Sequence, residues 1–96
     1  MNTKEKISIL RKKIDDCDNQ MLNLLVERFA VSKEIGSIKA SHNLNVGDPN
    51  REREIIERLA EKLEGQLDRD DIAAIFGTIY HISKKSTTFR APRRIM

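Results

Sequence analysis

Residues 4–40 read KEKISILRKKIDDCDNQMLNLLVERFAVSKEIGSIKA, a stretch with no proline and with Gly36 as its only glycine. Alternating steps of three and four residues pick out Ile7, Leu10, Ile14, Cys17, Met21, Leu24, Arg28, Val31, Ile35 and Ile38. All but Arg28 are apolar, which makes a heptad seam sustained along one helix. At 1.5 Å per residue that helix is about 55 Å long. A compact domain of this size has a radius of gyration near ~13 Å, so the helix outruns the domain it belongs to. The remaining residues cannot cover such a seam. A second copy of the chain is the simplest cover, and the reading is an obligate homodimer.

Downstream, residues 41–48 form a loop by composition, ending on Asp48 as an N-cap with Pro49 at the first helical position. Glu52 falls in the first turn, where the helix dipole favours an acid. This second helix is expected to reach about Glu64, with Ile55, Ile56, Leu59 and Leu63 on one face and Gly65 ending it. Asp68 caps a third helix whose apolar line is Ile72, Phe76 and Ile79. The next two positions on that line are Ser83 and Thr87, polar where the pattern asks for apolar. The fold class is therefore all-α: three helices, one long and two shorter, in a single domain spanning 1–96.

Composition agrees. Among 96 residues there is no Trp, one Tyr, three Phe and two Pro, too few aromatics and turn residues for a sandwich or barrel. The lone Cys17 cannot form an internal disulfide, and with only two histidines a zinc site is not expected. No apolar run approaches the ~20 residues of a membrane span, and the charged N-terminus leads into no signal-peptide core. A cytoplasmic protein is expected. The net charge of +3 conceals a split: residues 1–83 hold 13 Lys/Arg against 15 Asp/Glu, while 84–96 hold Lys84, Lys85, Arg90, Arg93 and Arg94 and no acid. A nucleic-acid binder places its positive charge on a folded face. A short Pro-containing tail reads instead as frayed or packed at a helix end.

Polar residues on an apolar seam cost stability unless they are paired, so they are where function is sought. Arg28 stands among Leu24, Leu25, Val31 and Ile35 and needs an anion. That anion is either a carboxylate such as Glu27 or Glu52, in a structural ion pair, or a ligand. Lys39 follows eleven residues later, about 20° around the helix and about 16 Å along it, so both long side chains can converge on one small anion. Arg11 lies about 25 Å before Arg28 and about 100° around, out of reach within one chain. Antiparallel packing of two long helices would bring Arg11 of one protomer to the Arg28 region of the other. Arg51, beside Asp48 and Glu52, sits at a helix start whose free amides also favour anions. Four such cations in a near-neutral body point to a small dicarboxylate, against the plain alternative of solvated charged faces. The chain has no Gly-rich phosphate loop, no His-x-Glu metal pattern and no Cys–His pair. Cys17 is expected to be packed in the core, and His42 and His81 to be bystanders.

Leu10-Arg11-Lys12-Lys13-Ile14-Asp15 with Asp18, Leu24-Leu25-Val26-Glu27-Arg28, Lys33-Glu34-Ile35-Gly36 through Lys39, and Val46-Gly47-Asp48-Pro49-Asn50-Arg51-Glu52-Arg53-Glu54 together resemble the all-helical chorismate mutase family. The resemblance covers about residues 5–88, leaving 89–96 as a basic tail. It implies an intertwined three-helix homodimer that converts chorismate to prephenate without cofactor or metal, at the branch toward phenylalanine and tyrosine. The length suggests a stand-alone domain. By the same resemblance Arg11, from the opposite protomer, and Arg28 bind the two carboxylates, and Lys39 contacts a carboxylate and the ether oxygen. Arg51 adds to the positive field, Asp48 and Glu52 lie near the ring hydroxyl, and Ser83 bonds the ring carboxylate.

Position 87 departs from the family. Its members place Gln or Glu there as a donor to the ether oxygen, and this chain has Thr87. The threonine is shorter by two heavy atoms, so it needs a bridging water or a small helix shift to serve. Lys84 has the reach to substitute but reads as a solvated surface lysine. An isochorismate-pyruvate lyase, which resembles the same fold, is the nearest alternative. A helical dimer binding nucleic acid through its basic tail is the non-enzymatic one.

Overall fold

The computed structural model describes residues 1–45 and 47–88. Val46, the side chains of residues 86–88 and the basic tail from position 89 lie outside the described residues. Three α-helices follow in order: α1 over Thr3–Ser41, α2 over Pro49–Lys62 and α3 over Arg69–Thr88. There is no strand among the described residues, and no helix there is long and apolar enough to cross a membrane.

Each helix end has a local cause. Asn2 starts α1, its Oδ1 accepting from the Glu5 N–H at 2.8 Å and its carbonyl from Lys6 at 3.1 Å. The other end of α1 closes with Asn43 in the left-handed region, φ 57°. There the Leu44 N–H returns to the Lys39 carbonyl at 2.7 Å and the Asn43 N–H to Ala40 at 3.2 Å, a double closure that caps otherwise orphaned carbonyls. His42 finds a local partner in this turn: its Nδ1 lies 2.9 Å from the Ile38 carbonyl, to which the Ser41 hydroxyl also donates at 2.9 Å. A ring nitrogen facing a carbonyl must carry the proton, so Nδ1 is the donor.

The expected end of α2 at Glu64 comes two residues sooner. Leu63 has left helical geometry (φ −104°, ψ 18°), and Gly65 sits at φ +87° while the N–H groups of Gln66 and Leu67 both fold back onto the Leu63 carbonyl. The reversal needs room ahead of its glycine, so the helix stops before it. Asp68 then caps α3 through the Asp71 N–H at 3.1 Å.

The chain divides into two compact units, Met1–Val31 and the residues from Ser32 onward. In the first, only Leu25, Arg28 and Phe29 are half-buried and every other side chain is exposed. Its seam residues Ile7, Leu10, Ile14, Met21 and Leu24 are 44–65% exposed. Cys17, expected in a packed core, is exposed with them, because the face it shares has no cover in the single chain.

In the second unit α2 packs on α3. Its core is small: Ile72 is 2% exposed, Tyr80 7% and Ile55 8%. Phe76 and Tyr80 meet as tilted rings with centroids 5.9 Å apart, one turn apart on α3. Arg69 at the start of α3 pairs with Glu57 of α2, and that carboxylate raises the guanidinium pKa above its ordinary value, chiefly through their hydrogen bond.

Ile72→Ala should lower the unfolding free energy by about 2–5 kcal/mol, since it removes the most buried side chain of this contact. Urea titration followed by far-ultraviolet circular dichroism measures it, and a loss below ~1 kcal/mol would show that the α2–α3 core lies elsewhere.

Candidate active site

The start of α2 is built by its cap. Asp48 stands just outside the helix (φ −140°, ψ 83°), its Oδ1 accepting from the Arg51 N–H at 3.1 Å, and Pro49 supplies the first helical residue. One oxygen of Asp48 is thereby engaged in capping, which also fixes the side chain. Arg51 and Glu52 follow in the same turn and leave it in different directions. The Arg51 guanidinium pairs with Glu54 at the surface, 56% exposed. Glu52 is turned toward α3, and its side chain is 24% exposed.

One turn of α3 grips Glu52 at both ends. The Tyr80 hydroxyl donates to its backbone carbonyl at 3.4 Å. The Lys84 ammonium, four residues on, lies 3.1 Å from Oε2 and 3.3 Å from Oε1 of its carboxylate. The Lys84 stem runs beside the loop, where a Cβ on Gly47 would meet Lys84 Cε at 3.9 Å. Lys84 therefore does not stand alone in solvent, as its sequence position suggested.

Between Tyr80 and Lys84 is Ser83. It is 9% exposed, and its Oγ has no hydrogen-bond partner among the described residues. Burying a hydroxyl without a partner is costly, which sets Ser83 apart from the other buried side chains described.

The remaining candidates are placed as follows. Lys39 is half-buried in the last turn of α1, and its own carbonyl takes the turn-closing bonds from His42 and Leu44. It belongs to the second unit, with Asp48, Arg51, Glu52 and Ser83. Arg28, half-buried, and Arg11, exposed, lie on α1 in the first unit. Thr87 is in the last turn of α3, and its side chain lies outside the described residues. Among the described residues no group of three or more His, Cys, Asp or Glu side chains could hold a metal ion. The grip of Tyr80 and Lys84 on Glu52 joins residues 28 and 32 positions apart. The only signal for it in the sequence is that Tyr80 and Lys84 flank Ser83 at a four-residue interval.

Residues 10–88 match the family described as chorismate mutase type II. The chain belongs to that family. It is 40% identical over 55 residues to the chorismate mutase of Methanocaldococcus jannaschii, covering 57% of this chain and 56% of that protein. It is 47% identical over 55 residues to the bifunctional chorismate mutase/prephenate dehydratase of Aquifex aeolicus, covering 57% of this chain and 15% of that one. The chain thus spans about half of the first relative and a small part of the second. A chorismate mutase structure from Thermus thermophilus superposes with a TM-score of 0.77 at 32% identity, over 81% of this chain and 98% of that one. The three-helix architecture is that of the chorismate mutase fold.

Because the Ser83 hydroxyl has no partner, Ser83→Ala should leave the stability of the ligand-free protein unchanged or raise it. A thermal melt reads this directly. A fall in unfolding free energy beyond ~1 kcal/mol would mean that the hydroxyl is used within the fold.

Proposed function

We propose that the protein is a chorismate mutase, converting chorismate to prephenate on the way to phenylalanine and tyrosine. The observation that carries the reading is Ser83, a buried hydroxyl with no partner beside the Glu52 clamp, in a chain whose family match runs through residue 88.

The reaction is an intramolecular Claisen rearrangement and needs no nucleophile, general base or metal. The protein has two tasks. It must hold a flexible ether in its compact chair-like conformer, and it must stabilise the charge that separates as the C–O bond breaks. Cations suit both. Arg28 and Arg11, the latter donated by the partner protomer, take the two carboxylates. Lys39 meets one carboxylate and the ether oxygen, where negative charge grows. Arg51 adds to the positive field, Asp48 and Glu52 face the ring hydroxyl, and Ser83 bonds the ring carboxylate. Thr87 stands at the position where the family resemblance implies Gln or Glu beside the ether oxygen.

The proposed working unit is a homodimer. Its support is the exposed apolar seam of α1, which runs from the residues of the first unit, Val31 at 49% among them, on to Ile35 at 50% and Ile38 at 60%. Covering such a surface is what stabilises obligate association. A lone, unpaired cysteine suits a reducing cytoplasmic setting.

An ultraviolet assay of chorismate consumption, with product identification, tests the reading. Prephenate is expected. Salicylate and pyruvate from isochorismate, with no turnover of chorismate, would assign the chain to the lyase reaction instead.

Lys39→Ala should depress kcat by roughly 10²–10³, because the lost donor acts on charge that exists only in the transition state. A near-normal kcat would remove the electrostatic basis of this mechanism. The shared site has its own check. An Arg11→Ala chain mixed with an Arg28→Ala chain should regain activity, since each heterodimer holds one site with both arginines. If the mixture stays as inactive as either parent after proven subunit exchange, Arg11 does not act in trans.

A further inference from the structure

Glu52 presents a problem of charge. A carboxylate next to a site for a dicarboxylate repels what the site must hold, and burial makes the repulsion stronger. Its side chain is only 24% exposed, so water does not dispose of the conflict. Yet an ionised carboxylate is the strongest acceptor available for a hydroxyl group. The arrangement around it reconciles the two. Lys84 Nζ sits between the carboxylate oxygens, 3.1 Å from one and 3.3 Å from the other, which offsets the charge and leaves each oxygen a further lone pair. The Tyr80 hydroxyl on the Glu52 carbonyl fixes the backbone beneath. Because Tyr80 is 7% exposed, the helix turn that carries Lys84 is itself held in place.

We propose that Lys84 is a positioning residue for Glu52: it aims that carboxylate as a hydroxyl acceptor and cancels the charge it would otherwise turn toward a dicarboxylate substrate. This rests on the chorismate mutase reading. Lys84 acts through Glu52 and not on the breaking bond, so its effect falls on binding. Without it, Glu52 regains its full charge toward the substrate and its freedom to rotate away. The interaction spans two helices and is half-exposed on the lysine side, 49%, which sets a modest size.

The test is a cycle of four proteins, wild type, Lys84→Met, Glu52→Gln and the double variant, with Lys84→Arg as the conservative control. Each is assayed for kcat and KM on chorismate and checked for folding by thermal melt. Lys84→Met should raise KM roughly three- to fivefold, the range a half-exposed ion pair carries, with kcat within about threefold of wild type. Lys84→Arg keeps a cation beside Glu52 and should restore KM to within about twofold. In the Glu52→Gln background, where no charge remains to offset, Lys84→Met should move KM by less than about twofold. An unchanged KM in Lys84→Met overturns the inference. An equal rise of KM in both backgrounds also overturns it, because Lys84 would then be acting on the substrate directly, as would a kcat loss of about a hundredfold. Wild type that leaves chorismate untouched overturns the functional reading and this inference together. Wild-type turnover with no coupling between Lys84 and Glu52 overturns this inference alone.

Discussion

Removing apolar surface from water is worth about 25 cal/mol per Å², and α1 leaves most of its seam in water from Ile7 at 44% exposure to Ile38 at 60%. The interior of the chain is correspondingly thin, with Ile55, Ile72 and Tyr80 as its buried hydrophobic side chains among the described residues. A domain of this size has little surplus stability to begin with. The long helix thus carries an exposed apolar seam, while the short helices supply a local core among the described residues. The homodimer proposed above would redress that imbalance by covering the seam.

Catalysis without nucleophile or metal rests on holding the substrate in its reactive conformer and on charges placed in advance. Under the proposed function, the turn at the start of α2 would supply such charges with little structure. Asp48 caps the helix and is fixed by doing so, Arg51 and Glu52 follow within the same turn, and α3 closes over Glu52 from Tyr80 and Lys84. Lys39 is held differently. It stands where α1 ends, with its carbonyl tied into the closing turn at Asn43, so the backbone that carries the ammonium is fixed by a helix terminus and not by burial. Among the described residues, the Ser83 hydroxyl is buried without a partner.

What was legible in the sequence is what nearest neighbours decide. The three helices, the caps at Asp48 and Asp68 and the turn at Gly65 all follow from residues within a few positions of one another, and they stand where the pattern put them to within two residues. Ser83 was legible too, as a polar residue on an apolar line. Three features were not. The Glu52–Lys84 pair joins two helices, and no periodicity within either one encodes it. His42 bonds a carbonyl four residues back, a contact that depends on the left-handed turn at Asn43 and not on residue type alone. Cys17 obeys the seam pattern and is nonetheless exposed, because a heptad pattern says that a face is to be covered and leaves open by what. Whether Arg11 meets Arg28 is a question of the same kind.

The placement of Tyr80 has a consequence for spectroscopy. The chain has one tyrosine and no tryptophan, and that tyrosine is buried in the α2–α3 contact with Phe76 against it and its hydroxyl on Glu52. Near-ultraviolet dichroism and emission excited beyond the phenylalanine band therefore arise at a single address, one hydrogen bond from the Glu52 backbone. The protein carries a built-in optical reporter of this clamp, and the same reporter is blind to residues 1–31, where no indole or phenol is found.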